Sequence, residues 1–402
     1  MSEGCRDHYA LKGILVRTRY DGQDVAAHLP RMNRRVLAIA LGITAAVGGV
    51  VGGVVAVHGS GTAGVSLSAN SQAVHMARMG HMSQLSAGWT FNTLNNSNDP
   101  TFNQLLGINN RGQIAGYFGS GAKGHPNKGY LINLAPAAST FTNENFPIGK
   151  QTQVIGINDV GVTVGFWSSQ NKKNMSDNNF GFYTVNGQFH NVVFPTRNMS
   201  KPPVTQLLGV NDRGIAVGFF NGAAGDSHAF EFSIRGGWFR RLHIPGAVSS
   251  TATGINNRGE IVGFFTNKKG KTFGFVITPR GTVIEFNIPG ASSTMAFGVN
   301  DFGAVVGTFM RGSGNNAKSF GFVWRPGRGV KVVNDPLGRG ATTLNGINNA
   351  GDLVGFYTAA NGNTDGLLVA HGTFTAAAAP PVTKTGAGAT PTPVPSAGPT
   401  HF

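Results

Sequence analysis

The chain has little of what usually holds an extracellular or catalytic domain together. Its 402 residues contain one cysteine, Cys5, which excludes an intrachain disulfide and leaves no thiolate cluster or Cys nucleophile beyond that position. Charged residues are 12% of the chain, about half the usual share. Long helices with solvated charged faces do not fit so few charges. Acids are the scarcest class, 17 Asp and Glu against 32 Lys and Arg, for a net charge of +15. General acid–base chemistry needs converging carboxylates or histidines, and no G-x-S-x-G elbow, H-E-x-x-H or D-x-D-x-D-G loop occurs.

What the chain does have is glycine, 60 residues of it, and a repeat. G-I-N-N-R-G-Q-I-A-G-Y-F begins at Gly107 and returns in recognisable form at Gly156, Gly209, Gly254, Gly298 and Gly346, in steps of 49, 53, 45, 44 and 48 residues. Each copy holds four strand-like runs: one ending in Gly-Ile/Val-Asn, a Val-Gly-aromatic run, a run like Phe320–Trp324, and a run like Val283–Ile288 closed by proline. Asn-Asn/Asp-x-Gly between the first two runs is a tight hairpin, with a positive φ expected at Gly112, Gly161, Gly214, Gly259, Gly303 and Gly351. The glycine inside the second run, as at Gly116, Gly218 and Gly263, predicts close backbone approach. The aromatics Phe118, Trp167, Phe220 and Phe265 after it are read as packing between units.

Tandem four-stranded units of this length predict an all-β fold, a six-bladed β-propeller of four-stranded antiparallel blades over residues 88–376. The run Trp89–Leu94 is expected to close the ring by completing the last blade, which would hide the strand edges of an open array. The competing fold is a linear β-solenoid.

The repeat string, with His228-Ala229-Phe230 at a third strand, resembles the bacterial extracellular HAF repeats. The resemblance spans the six copies, yet only one keeps the triplet; the others read Lys128-Gly129-Tyr130, Phe180-Gly181-Phe182, Phe273-Gly274-Phe275, Phe320-Gly321-Phe322 and Asp365-Gly366-Leu367. It implies an exported repeat protein and carries over no activity.

Residues 1–35 form a basic N-terminal region. Residues 36–57 run without a charge behind Arg31, Arg34 and Arg35, the pattern of a signal peptide or an N-terminal membrane anchor helix. Cleavage after Ala56 or Ala63 and a start at Met1 or Met32 are open alternatives. Either way the repeats are expected outside the cytosol, at the cell surface or secreted. Residues 58–87 read as a linker, in which His75, Met76, Met79, His81 and Met82 gather soft ligands that suit Cu(I); an accidental bias of linker composition is the plainer reading. The tail, 377–402, is rich in Pro, Ala and Thr and reads as disordered.

In a propeller the second-to-third loops and the connections between blades share one face. There the chain concentrates cations: Lys123, Lys128, Lys172, Lys173, Lys268, Lys269, Lys271, Arg311 and Lys318, with Lys150, Arg197, Lys201 and Arg339 on the connections. The opposite hairpins, with Arg111, Arg213 and Arg258 against Asp159, Asp212, Glu260, Asp301 and Asp352, read as near neutral or slightly acidic. The expectation is a monomeric binding or scaffold module without cofactor, its basic loop face meeting an anionic cell-wall or extracellular polymer, with no nucleic acid and with membrane contact through 36–57 if uncleaved. The plainer reading of that face is solvation. The alternative function is a propeller-based extracellular hydrolase or lyase acting on polysaccharide, although His125, His190, His228, His243 and His371 fall at unlike places in their copies.

Overall fold

A computed structural model describes residues 88–374 apart from 137, 170–177, 326–327 and 373. The basic N-terminal region, the apolar run 36–57, the linker with its His/Met cluster, Lys172, Lys173 and the tail 377–402 lie outside the described residues. Among those described, no helix is long and apolar enough to cross a membrane.

Among the described residues the fold is all-β, with one short 3-10 turn at Gly314–Asn316. It opens with β1 (Trp89–Thr93). β2–β5 follow (Asn103–Ile108, Gln113–Phe118, Lys128–Asn133, Thr140–Asn143), then β6–β9 (Gln151–Ile157, Thr163–Ser168, Phe180–Val185, Gln188–Val192) and β10–β13 (Thr205–Val210, Ile215–Asn221, Ser227–Ser233, Phe239–Arg241). Next are β14–β17 (Ala247–Ile255, Ile261–Asn267, Thr272–Ile277, Val283–Phe286), β18–β21 (Ser293–Val299, Val305–Arg311, Lys318–Arg325, Gly329–Val332) and β22–β24 (Thr342–Ile347, Leu353–Thr358, Thr364–His371). Every set pairs antiparallel in chain order, and β14–β17 and β18–β21 merge into one eight-stranded sheet through the single parallel pair Thr272↔Ser293.

The sheets form a β-propeller-like ring. β1 joins the last sheet on the free edge of β24, from Trp89↔His371 to Thr93↔Leu367, and Leu105, Ile114 and Phe118 of the first unit share one buried cluster with Val354 and Leu368 of the last. Because first and last units touch, a linear solenoid is excluded. The aromatics Phe118, Trp167, Phe220 and Phe265 are buried in clusters that draw on adjacent units, as the repeat pattern predicts.

Glycine works in two places. The turn glycines from Gly112 to Gly351 all have φ between 72° and 88°, a region that costs an L-residue about 1–2 kcal/mol. The first glycine of each repeat makes a collar around the axis: a Cβ on Gly107 would stand 2.7 Å from the Ile155 carbonyl oxygen, on Gly254 2.7 Å from that of Phe297, and on Gly346 3.0 Å from that of Leu106. Each first strand carries a bulge at this glycine, so six inner backbones can converge where side chains would hold them apart.

Candidate functional site

Next to the collar, side chains from all six units meet around the axis. Leu106, Tyr117, Phe166, Phe219, Phe264, Phe297 and Phe356 belong to one buried cluster. Above it, a cavity of about 90 Å³ is lined by the collar glycines and their neighbours, and one of about 70 Å³ by the Asn and Asp of the six hairpin turns.

Those turns form two closed hydrogen-bonded rings. The amide Nδ2 of Asn109 donates to the carbonyl of Asn158, Asn158 to Asn211, Asn211 to Asn256, Asn256 to Asn300, Asn300 to Asn348, and Asn348 back to Asn109, at 2.9–3.5 Å. One place further on, each backbone N–H donates to the next turn's side-chain oxygen, in the order Asn110, Asp159, Asp212, Asn257, Asp301, Asn349 and again Asn110, at 2.7–2.9 Å. The asparagine Oδ1 atoms meanwhile cap their own turns, as Asn211 does from Arg213 N–H and Ile215 N–H. The turn reading explained these residues locally and missed the ring. A signal was there: a turn accepts Asp as readily as Asn, whereas all six copies have Asn at the first place, the only one of the two with an N–H to give.

This arrangement is poor for chemistry. The carboxylates of the second ring already accept from neighbours, Asp159 from Asn110 and Asp301 from Asn257 and Asn349, and the small cavity below them is lined by glycines and apolar side chains with Thr253 and Asn345, without a titratable group.

The opposite end of the ring is built differently. The start of each third strand lies beside the start of the next unit's first strand, in the parallel bridges Asn179↔Val204, Ser319↔Ala341 and Phe102↔Thr364, the pair Thr272↔Ser293 and the bond from Thr152 N–H to the Asn127 carbonyl. Second-to-third loops and unit connections therefore emerge side by side. Lys123, Lys268, Lys269, Lys271, Arg311 and Lys318 are exposed there and Lys128 is half-buried. Lys128 Nζ donates to the Lys150 carbonyl at 3.3 Å, and burial, then the Lys150 charge, lowers its pKa. Lys271 lies over Phe273 and Arg311 over Phe309 and Phe320. None of these described cations is in an ion pair with a carboxylate.

No protein-family model matches the chain, and no curated protein does. Among solved structures it is similar to an arginine-to-alanine mutant of AofleA from Arthrobotrys oligospora, at 13% identity over 71% of this chain and 87% of that one, TM-score 0.43. It is also similar to a putative TolB from Agrobacterium tumefaciens, at 11% identity over 70% and 97%, TM-score 0.45. A third likeness is to a polysaccharide lyase of the ulvan lyase family, at 12% identity over 69% and 80%, TM-score 0.39. Identities this low carry no function across.

Two histidines on the loop face have carboxylate partners. His228 is held at both nitrogens, Nε2 by Asp226 at 2.8 Å and Nδ1 by Arg241 at 2.8 Å, which leaves no lone pair for proton transfer. His125 Nδ1 is 2.7 Å from Asp99. Burial raises the Asp99 pKa, but bonds from Thr101 and His125 outweigh it and hold the carboxyl below its ordinary value.

The turn face is more basic than its Asn turns alone imply. The third-to-fourth hairpins emerge beside the Asn turns, as the bond from Ile234 N–H to the Gly214 carbonyl records, and they bring Arg235, Arg280, Arg325 and Arg328. The face is basic where they cluster.

One junction departs from its siblings. The residue before the closing proline is apolar at four junctions: Phe146 stacks on Trp167 at 4.4 Å and Phe194 on Phe220 at 3.9 Å, while Ile244 and Ile288 are buried with Phe265 and Phe309. At the fifth it is Asp335, 4% exposed. Burial, and secondarily the charge of Asp365, push its carboxyl above the ordinary value despite bonds from Leu337 N–H and Gly338 N–H. A raised folded pKa favours the protonated native state, so this contribution is full below the unfolded value of about 3.9 and is lost as pH rises through the folded one. Melts at pH 4 and pH 6 are expected to show the parent losing on the order of 2 °C that an Asp335→Asn variant does not lose; parallel declines would show that the burial of Asp335 has been misjudged.

Proposed function

We propose that this chain is an exported repeat protein of the HAF-repeat kind, secreted or anchored at the cell surface, whose six-bladed propeller binds anionic envelope polymers through its loop face. The blade count treats the two halves of the eight-stranded sheet as separate blades and agrees with six-membered asparagine rings. The observation that carries the binding reading is the side-by-side emergence of loops and connections at one end of the ring, with exposed lysines that have no carboxylate partner. A single exposed ion pair contributes about 0–1 kcal/mol, so useful affinity requires a repeating ligand that engages several at once. An axial cavity without a titratable group supports a surface binder over a channel enzyme.

The test is retention on immobilised polygalacturonate against ionic strength. Reversing Lys268, Lys269 and Lys271 to Glu lowers the net charge from +15 to +9, and retention at about 0.15 M salt, where the Debye length is about 8 Å, is expected to vanish. Reversing Arg235, Arg258 and Arg280 on the turn face changes the net charge equally and is expected to leave most retention. Equal losses in both variants would reduce the effect to net charge and sink the assignment to a face.

A further inference from the structure

A third cavity, of about 240 Å³, opens on the turn face between β14–β17 and β18–β21, away from both the axis and the loop face. Val299 and Val305 line it with Phe302, Glu260, Arg325 and Arg328. Arg328 N–H donates to the Arg325 carbonyl at 3.0 Å, which holds the two residues side by side. Among the described residues Arg325 Nε is buried with no hydrogen-bond partner, and neither guanidinium is in an ion pair. The nearby acid does not serve them: Glu260 Oε2 accepts from Asn256 Nδ2 at 2.6 Å. Burial, then the charge of Arg328, disfavours the protonated Arg325, a cost that a bound anion would offset.

The wall opposite is also particular to this copy. Phe302 is 56% exposed at a turn position where the other copies have Arg111, Val160, Arg213, Arg258 and Ala350. In no other copy do arginines stand on both sides of the third-to-fourth turn. An exposed aromatic beside a pair of unpaired guanidiniums combines an apolar platform with forked donors that match an oxyanion. The cavity lies below the range of about 300–1,000 Å³ that takes drug-sized ligands, so the ligand is small.

We infer that this cavity binds a monosaccharide-sized sugar acid, its carboxylate between Arg325 and Arg328 and an apolar face of its ring against Phe302. The site is independent of the polymer-binding loop face. Calorimetric titration of the full chain with D-glucuronate, D-glucose and acetate tests it. Glucuronate is expected to bind about tenfold or more tightly than either, since glucose lacks the charge and acetate the ring. Arg328→Gln, at an exposed position, is expected to weaken glucuronate about tenfold, and Phe302→Ser to weaken glucuronate while leaving acetate unchanged. Arg325→Gln, with its thermal melt recorded alongside to show that it is folded, is likewise expected to weaken glucuronate about tenfold. The Lys268, Lys269 and Lys271 reversal is expected to leave glucuronate binding intact, so loss of polymer retention and loss of this site are separate results. Glucuronate that fails to bind the folded parent at millimolar concentration, or binds equally well to the Arg328→Gln and parent chains, overturns the inference.

Discussion

A chain lacking residues 88–95 is expected to lose its cooperative melt or to aggregate. The segment is short, yet it closes the ring. β1 supplies five cross-strand pairs to the last sheet; Leu94 is fully buried and its N–H donates to the Gly366 carbonyl at 3.0 Å; Asn95 binds both Asp365 and Gly366 N–H. Without it the Leu367–Ala370 edge of β24 faces water, and an unpaired apolar edge is a template for association. Losing a buried leucine alone costs about 2–5 kcal/mol, against a net stability of about 5–15 kcal/mol for a typical domain. Where a cooperative melt survives, the lost leucine alone lowers Tm by about 4–20 °C, at roughly 2–4 °C per kcal/mol. Adding a synthetic peptide of residues 86–97 should restore much of the loss by re-forming the missing strand. A truncated chain that melts like the parent would mean that the ring is held shut elsewhere. Because β1 stands at the N-terminal border of the ring, cleavage after Ala56 or Ala63, if it happens, leaves the closing strand in place.

That closure was legible in the sequence because Trp89–Leu94 matches a fourth-strand run with no unit of its own. The turn glycines were legible for a similar reason: Asn-x-x-Gly between two apolar runs has few other conformations, and Gly112 and its equivalents take the one expected. What the sequence hid were relations between copies. Asn211 and Asn256 are 45 residues apart and touch only because the ring brings equivalent places together, so a turn analysis of either one finds a complete local explanation and stops. The collar glycines were equally silent, since a Cβ on Gly254 would meet chiefly the next unit, at 2.7 Å from the Phe297 carbonyl oxygen and 3.2 Å from Gly298 Cα. Arg325 with Arg328, and Asp335, were hidden in the other direction: they break the repeat, and a reading tuned to recurrence averages such departures away. The loop cations were visible as a list, while the contacts that hold some of them down, such as Arg311 over Phe309, were not.

Gly263→Ala is expected to be the most damaging small substitution within a repeat, and the turn glycine of the same copy shows why. A Cβ at Gly263 would stand 2.0 Å from the carbonyl oxygen of Thr251 and 2.6 Å from Cζ of Phe275. The first contact is backbone in the adjacent strand, which cannot rotate away. The second is a ring with no exposed surface, locked among Val217, Ile261 and Ile277 of its cluster. Relief requires parting β14 from β15, and β14 is an inner strand whose displacement also disturbs the Gly254 collar and the Asn256 ring. Overpacking in a core typically costs about 1–3 kcal/mol; contacts this short against backbone put the expected loss at or above that upper end. Gly259→Ala meets only Arg213 Nη2 at 3.8 Å and has only its φ of 87° to overcome, about 1–2 kcal/mol. Urea unfolding of the two variants should therefore give a clearly lower midpoint for Gly263→Ala with an unchanged slope for Gly259→Ala. Equal midpoints would mean that the inner strands are looser than the collar implies, and a loose hub cannot hold the loop face in one piece for a repeating ligand.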